Sequence, residues 1–140
     1  MEYCLAHSGQ SINDRYRQNI MEEIDLQIAT MLDTHITDTD LIVYRGVCEY
    51  VYNLMIINAK GIKGIDFLEK GFMSTSLVKG HELNGYKQLR IYVPKGTKCV
   101  FMGNINDESD FFEVTIQHNA KLKIISIDNE YINCRLLETA

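Results

Sequence analysis

The sequence predicts an α+β fold in which one N-terminal helix packs on two mainly antiparallel β-sheets. Two observations carry this expectation. A long stretch with helical periodicity occurs at the N-terminal end, and six or seven short β-forming runs follow, separated mostly by turn signals. The 140 residues are 46% apolar and 24% charged, a balance that suits a single domain over 1–140 with a proper core.

The helix is expected over residues 10–32. Ile12, Tyr16, Ile20, Ile24, Ile28 and Met31 recur every three to four residues and mark one face, with Ser8 or Ser11 as candidate caps. Asn13 and Arg17 lie four apart and project together near its start. By themselves they read as a solvated polar edge.

Residues 33–40 form a polar linker into the run Leu41 to Val47, which is strongly β-forming. Arg45 is anomalous there, because a buried guanidinium needs an anionic partner. Gly46 beside it permits close backbone approach by a ligand. Residues 49–58 lean to a short helix, and 60–64 to a glycine-bounded loop. The stretch Lys70 to Leu77 then reads as a strand entered through a glycine turn, with three hydroxyl residues in succession. Ser74 and Ser76 share one face and Thr75 takes the other, so that face is either wet or lines a cleft.

Residues 78–86 are a glycine-containing excursion. Gln88 to Val93 alternates as a strand and stops at Pro94, the only proline. Cys99 to Met102 is a further short strand, residues 103–110 are polar and turn-rich, and Phe111 to Ile116 resumes the β pattern. Ala120 to Ile127 and Tyr131 to Leu137 complete the set.

The formal net charge of −5 argues against a general nucleic-acid or membrane-surface binder, while leaving room for a local basic pocket for phosphate. No apolar run has the length of a transmembrane span. The N-terminus lacks the pattern of a signal peptide, so the expected location is cytoplasmic or, by another delivery route, the inside of a host cell. Cys4, Cys48, Cys99 and Cys134 are scattered, as are the four histidines, which predicts reduced thiols and no metal.

Arg45, Ser74 and Glu113 are each a polar anomaly in a β-forming run. Singly, a strand glutamate such as Glu113 reads as an ordinary outward residue. Together they offer a fork for phosphate oxygens, a hydroxyl to orient a carboxylate, and a carboxylate to stabilise positive charge at an anomeric carbon. Those are the requirements for cleaving the N-glycosidic bond of a dinucleotide.

In these residues the chain resembles the arginine-serine-glutamate class of mono-ADP-ribosyltransferases, the exoenzyme-like group of clostridial binary toxins and Rho-modifying enzymes. The resemblance runs from about Tyr3 to Ile127, in order. The opening motif is matched by Tyr3, Ser8-Gly9 and Ile12 to Arg17, and the Val-Tyr-Arg-Gly strand by Val43 to Gly46. The Gly-Phe-x-Ser-Thr-Ser strand is Gly71 to Ser76, and Ile-x-Val-Pro-x-Gly-Thr is Ile91 to Thr97. The closing Glu-Val-Leu-Leu-Pro-Arg-Gly-Thr-Lys-Phe-Lys-Val segment aligns without gaps on Glu113 to Ile124.

The resemblance implies a β-sandwich core of the ADP-ribosyltransferase kind, a monomer, with NAD as substrate and a protein as acceptor. It implies that Arg45 contacts NAD phosphate, that Gly46 offers its backbone to the nicotinamide amide, and that Asn13 and Arg17 face the ADP part. Ser74 would hold Glu113, Thr75 and Ser76 would be structural, and Glu113 would stabilise the oxocarbenium-like transition state. Residues 78–86 would form the phosphate–nicotinamide loop, with Tyr86 packing on nicotinamide and Lys79 or Lys87 near phosphate. Residues 104–112 would meet the protein substrate, which makes Asp110 and Phe111 recognition residues. The family usually carries Glu or Gln where this chain has Phe111, with Glu108 and Asp110 at the wrong spacing. NAD cleavage is expected to survive that change, and the acceptor is left open. NAD hydrolysis with little transfer, or a degenerate binding module, are the alternative readings.

Overall fold

The computed structural model describes residues 12–103 and 112–140. Helical residues 12–17 (α1) and Glu23–Leu32 (α2) lead into strand β1, Leu41–Val47, and helix α3, Glu49–Ala59. Strands β2 (Phe67–Glu69), β3 (Met73–Ser76), β4 (Lys87–Val93) and β5 (Cys99–Gly103) follow. The chain ends with β6 (Glu113–Ile116), β7 (Ala120–Ile127) and β8 (Ile132–Glu138).

The α+β class is as expected, and the two anticipated sheets are joined. Backbone pairing runs through eight strands in the order β2-β7-β8-β4-β1-β3-β6-β5, antiparallel except for β4 with β8. The link between β1 and β3 is one residue pair, Tyr44 with Ser76, whereas β1 pairs with β4 along its whole length. Backbone pairing is thus thinnest at this seam. Ser74 pairs with Thr115 and Ser76 with Glu113, which puts all four side chains on one face.

The expected single helix is instead two. Asn19 adopts a left-handed φ of 58°, the Asn19 amide donates to the Tyr16 carbonyl, and the Ile20 amide donates to the Arg15 carbonyl. This is the 5→2 and 6→1 bonding that ends a helix. The Glu22 amide then donates to Asp25, whose buried carboxylate also accepts two hydrogen bonds from Arg15, at 2.6 and 2.7 Å. Ile20, Ile24 and Met31, predicted to face the core, are exposed: the turn takes Ile20 off the helix, and α2 buries Ile28, Ala29 and Leu32 instead. Ser8 and Ser11 lie outside the described residues.

Two apolar clusters cover the sheet. One joins α3, through Val51 and Met55, to Val43, Met73, Leu89, Ile91, Val114 and Ile116. The other joins α1 and α2, through Ile12, Tyr16, Ile28 and Leu32, to Phe72, Val100 and Met102. Cys99 belongs to the first cluster and its neighbour Val100 to the second, so β5 contributes to both. The helix leaned to over 49–58 is present as α3. Strand β2 is a feature the sequence does not announce, since three residues are too few to show alternation.

Candidate active site

A cleft open to solvent lies at the β1–β3 seam. Arg45, Gly46, Ser74 and Glu113 all line it, together with Tyr44, Thr75, Ser76, Glu82 and Leu83. Residues 29 to 68 positions apart in the chain are brought together because β1, β3 and β6 are consecutive in the sheet.

Arg45 crosses the seam. Its Nη1 donates to the Ser74 carbonyl at 2.8 Å, and its Nη2 lies 3.6 Å from Glu69. Its Nε is buried with no hydrogen-bond partner among the described residues. Burial pushes the Arg45 guanidinium below its ordinary pKa; Glu69 opposes the shift and nearby Arg17 adds to it. Positive charge here is therefore only partly compensated, which favours an incoming anion.

Glu69 is the residue that sequence reading missed. It is fully buried, and Arg17 Nη2 donates to it at 2.5 Å. Burial acts to lower the Arg17 pKa, but the bond and charge of Glu69, with Asp14, outweigh it and raise it. Arg17 and Arg45 thus converge on one carboxylate. Asn13 accepts the Phe72 amide at 2.7 Å, and a Cβ on Gly71 would press on the Asn13 side chain. Asn13 and Arg17 are consequently not a solvated edge: they fasten α1 to residues 69–72, the approach to the Ser-Thr-Ser strand. Neither lines the cleft itself.

Of the three hydroxyls, Thr75 and Ser76 make structural bonds, as expected, and Ser74 differs. Thr75 is buried and donates to the Val114 carbonyl at 2.8 Å, while Ser76 Oγ closes a local turn with Val78. Ser74 is exposed to the cleft. Among the described residues, the hydroxyl that donates to Glu113 is that of Thr115, at 2.9 Å to Oε2, rather than that of Ser74.

The 78–86 loop lies over the end of β1. A Cβ on Gly46 would overlap the Leu83 carbonyl, and one on Gly85 would overlap the Val47 backbone, so both positions require glycine for contact. Glu82 anchors the loop: it accepts the Tyr131 hydroxyl at 2.8 Å, Gln88 at 2.9 Å and the Gly80 amide at 2.9 Å. Burial would raise the Glu82 carboxyl, but these bonds and that from its own amide hold it below the usual value. Tyr86 is placed away from the cleft. It packs on Tyr52 with Lys87 over its ring, because Gly85 presses the chain onto Val47 and leads it into β4 beside α3. Lys79 pairs with Glu130 and lies over Tyr131. Asp110 and Phe111 lie outside the described residues.

The family model described as ADP-ribosyltransferase exoenzyme matches residues 2–137. The chain belongs to this family. It is accordingly an NAD-using ADP-ribosyltransferase. Solved structures agree in fold. C3stau2 of Staphylococcus aureus, determined with NAD, is 20% identical with a TM-score of 0.73, over 99% of this chain and 85% of that one. C3larvin of Paenibacillus larvae is 19% identical with a TM-score of 0.70, over 95% and 90%. The Clostridium limosum C3 exoenzyme is 18% identical with a TM-score of 0.69, over 96% and 82%. No curated protein matches the chain.

Proposed function

We propose that the seam cleft binds NAD, that Glu113 drives cleavage of the nicotinamide N-glycosidic bond, and that ADP-ribose passes to a protein side chain. The observation carrying this reading is that Arg45, Gly46, Ser74 and Glu113 line one cleft. Residues 1–140 act in this reading as one catalytic domain.

The chemistry follows from the positions. The Arg45 guanidinium, whose charge is only partly compensated, holds a phosphate of NAD. Arg17 and Asn13 fix the 69–72 approach from which the ADP end is held. The bond from ribose C1′ to the nicotinamide nitrogen breaks with its electron pair leaving on nicotinamide, which departs neutral. The positive charge left on the ribose is stabilised by the Glu113 carboxylate, which also accepts a ribose hydroxyl. The acceptor nucleophile then bonds to C1′ and releases its proton to solvent.

Phe111 favours one second reading. It replaces the polar residue usual at that position in the motif, so no polar side chain at 111 directs an acceptor, and water competes for the sugar. Incubation with labelled NAD, with and without cell lysate, separates the two by following nicotinamide release and protein labelling together. Label on a discrete protein supports transfer, the activity of a toxin or effector such as the C3larvin toxin, an ADP-ribosyltransferase. Nicotinamide release without label supports hydrolysis. Absence of both, with no NAD binding, removes the proposal.

A further inference from the structure

We propose that Thr115 is a positioning residue for Glu113, holding the carboxylate that the cleft presents to NAD. The proposal rests on the reading of Glu113 given above.

Glu113 and Thr115 stand two residues apart on β6 and so share a face. The Thr115 hydroxyl donates to Glu113 Oε2 at 2.9 Å. Thr115 is only 2% exposed, so neither solvent nor a crossing ligand competes for its hydroxyl. Its backbone is fixed from both sides, by Ser74 on β3 and Val100 on β5. A β-branched side chain has few rotamers, which limits the directions the Thr115 donor can take. Hydrogen bonding of this kind favours the ionised carboxylate and sets its direction before substrate arrives.

Ser74, the hydroxyl expected for this task, is exposed, and its carbonyl rather than its side chain is engaged by Arg45.

The test compares steady-state NAD cleavage by T115V, T115S and E113Q with that of the unaltered protein. Thr115→Val keeps the shape and removes the donor, and it should lower kcat tenfold or more while leaving KM for NAD within about twofold. Thr115→Ser should restore kcat to within about threefold, which repair of packing alone would not do. If T115V fails to fold, T115A takes its place with the same expected split. A T115V (or T115A) enzyme with kcat within twofold of normal, beside an inactive E113Q, overturns the role of Thr115 and leaves that of Glu113 intact. An active E113Q overturns the functional reading itself.

Discussion

Arg45 reaches across the β1–β3 seam and donates from Nη1 to the Ser74 carbonyl at 2.8 Å. The backbone ladder between these strands is a single residue pair, so this side chain supplies a second tie where the sheet is weakest. It does so at the mouth of the cleft. The same guanidinium therefore shapes the site and presents charge to it.

Arg45→Lys removes the planar fork and leaves a point charge. The dissociation constant for NAD, measured by calorimetry, should weaken tenfold or more. Unchanged affinity would take Arg45 out of phosphate binding.

Glu69→Gln removes the countercharge on which Arg17 and Arg45 converge. Breaking a buried ion pair from one side costs about 3–5 kcal/mol, and urea denaturation should show a loss near the lower end, because the amide still accepts. Saturating NAD should recover part of that loss, since its phosphates restore negative charge beside the arginines. A change below about 0.5 kcal/mol, the usual surface effect, would contradict a structural role for this carboxylate.

Gly46→Ala places a methyl group where the Leu83 carbonyl sits. The 78–86 loop should be displaced, with faster proteolysis at Lys79 and Lys87 and at least a tenfold loss of NAD affinity. Retention of both properties would show that the loop has room which the backbone contact denies.

His118 gives the fold a pH dependence. The ring is packed between Tyr16, at 4.3 Å, and Phe72, at 5.7 Å, and its Nδ1 is buried without a partner among the described residues. Burial lowers its pKa; Lys98 adds to the shift and Asp33 opposes it. A depressed folded-state value means that the stabilisation is present above the unfolded value of about 6.5 and is lost as pH falls toward the folded value. The melting temperature should therefore drop between pH 7 and pH 5, above the range where the lowered carboxyls Asp25 and Asp33 titrate. His118→Phe should flatten that drop. An equal drop in the variant would assign it elsewhere.

The residues that the sequence made legible are those that break a local pattern. Arg45 in a β-forming run, Ser-Thr-Ser before a leucine and Glu113 between apolar residues are each visible within a few positions, and the structure gathers them. Glu69 was illegible because its strand is three residues long and its partner Arg17 lies 52 positions away. The break between α1 and α2 was hidden because Asn19 overrides an apolar period that continues past it. Tyr86 shows the limit for loops: its direction is set by the close approach of Gly85 to Val47, which no spacing encodes. Thr115 was hidden for a related reason. Its hydroxyl matters only through its neighbour on the same face, and in sequence it is an ordinary strand threonine.

The most direct measurement is NAD cleavage by Glu113→Gln beside NAD binding by the same variant. Glu113 is placed to act on charge that develops in the transition state, so nicotinamide release should fall at least a hundredfold while NAD affinity stays within about threefold. Activity within tenfold of the unaltered enzyme would contradict the account, and the catalytic carboxylate would have to be sought elsewhere.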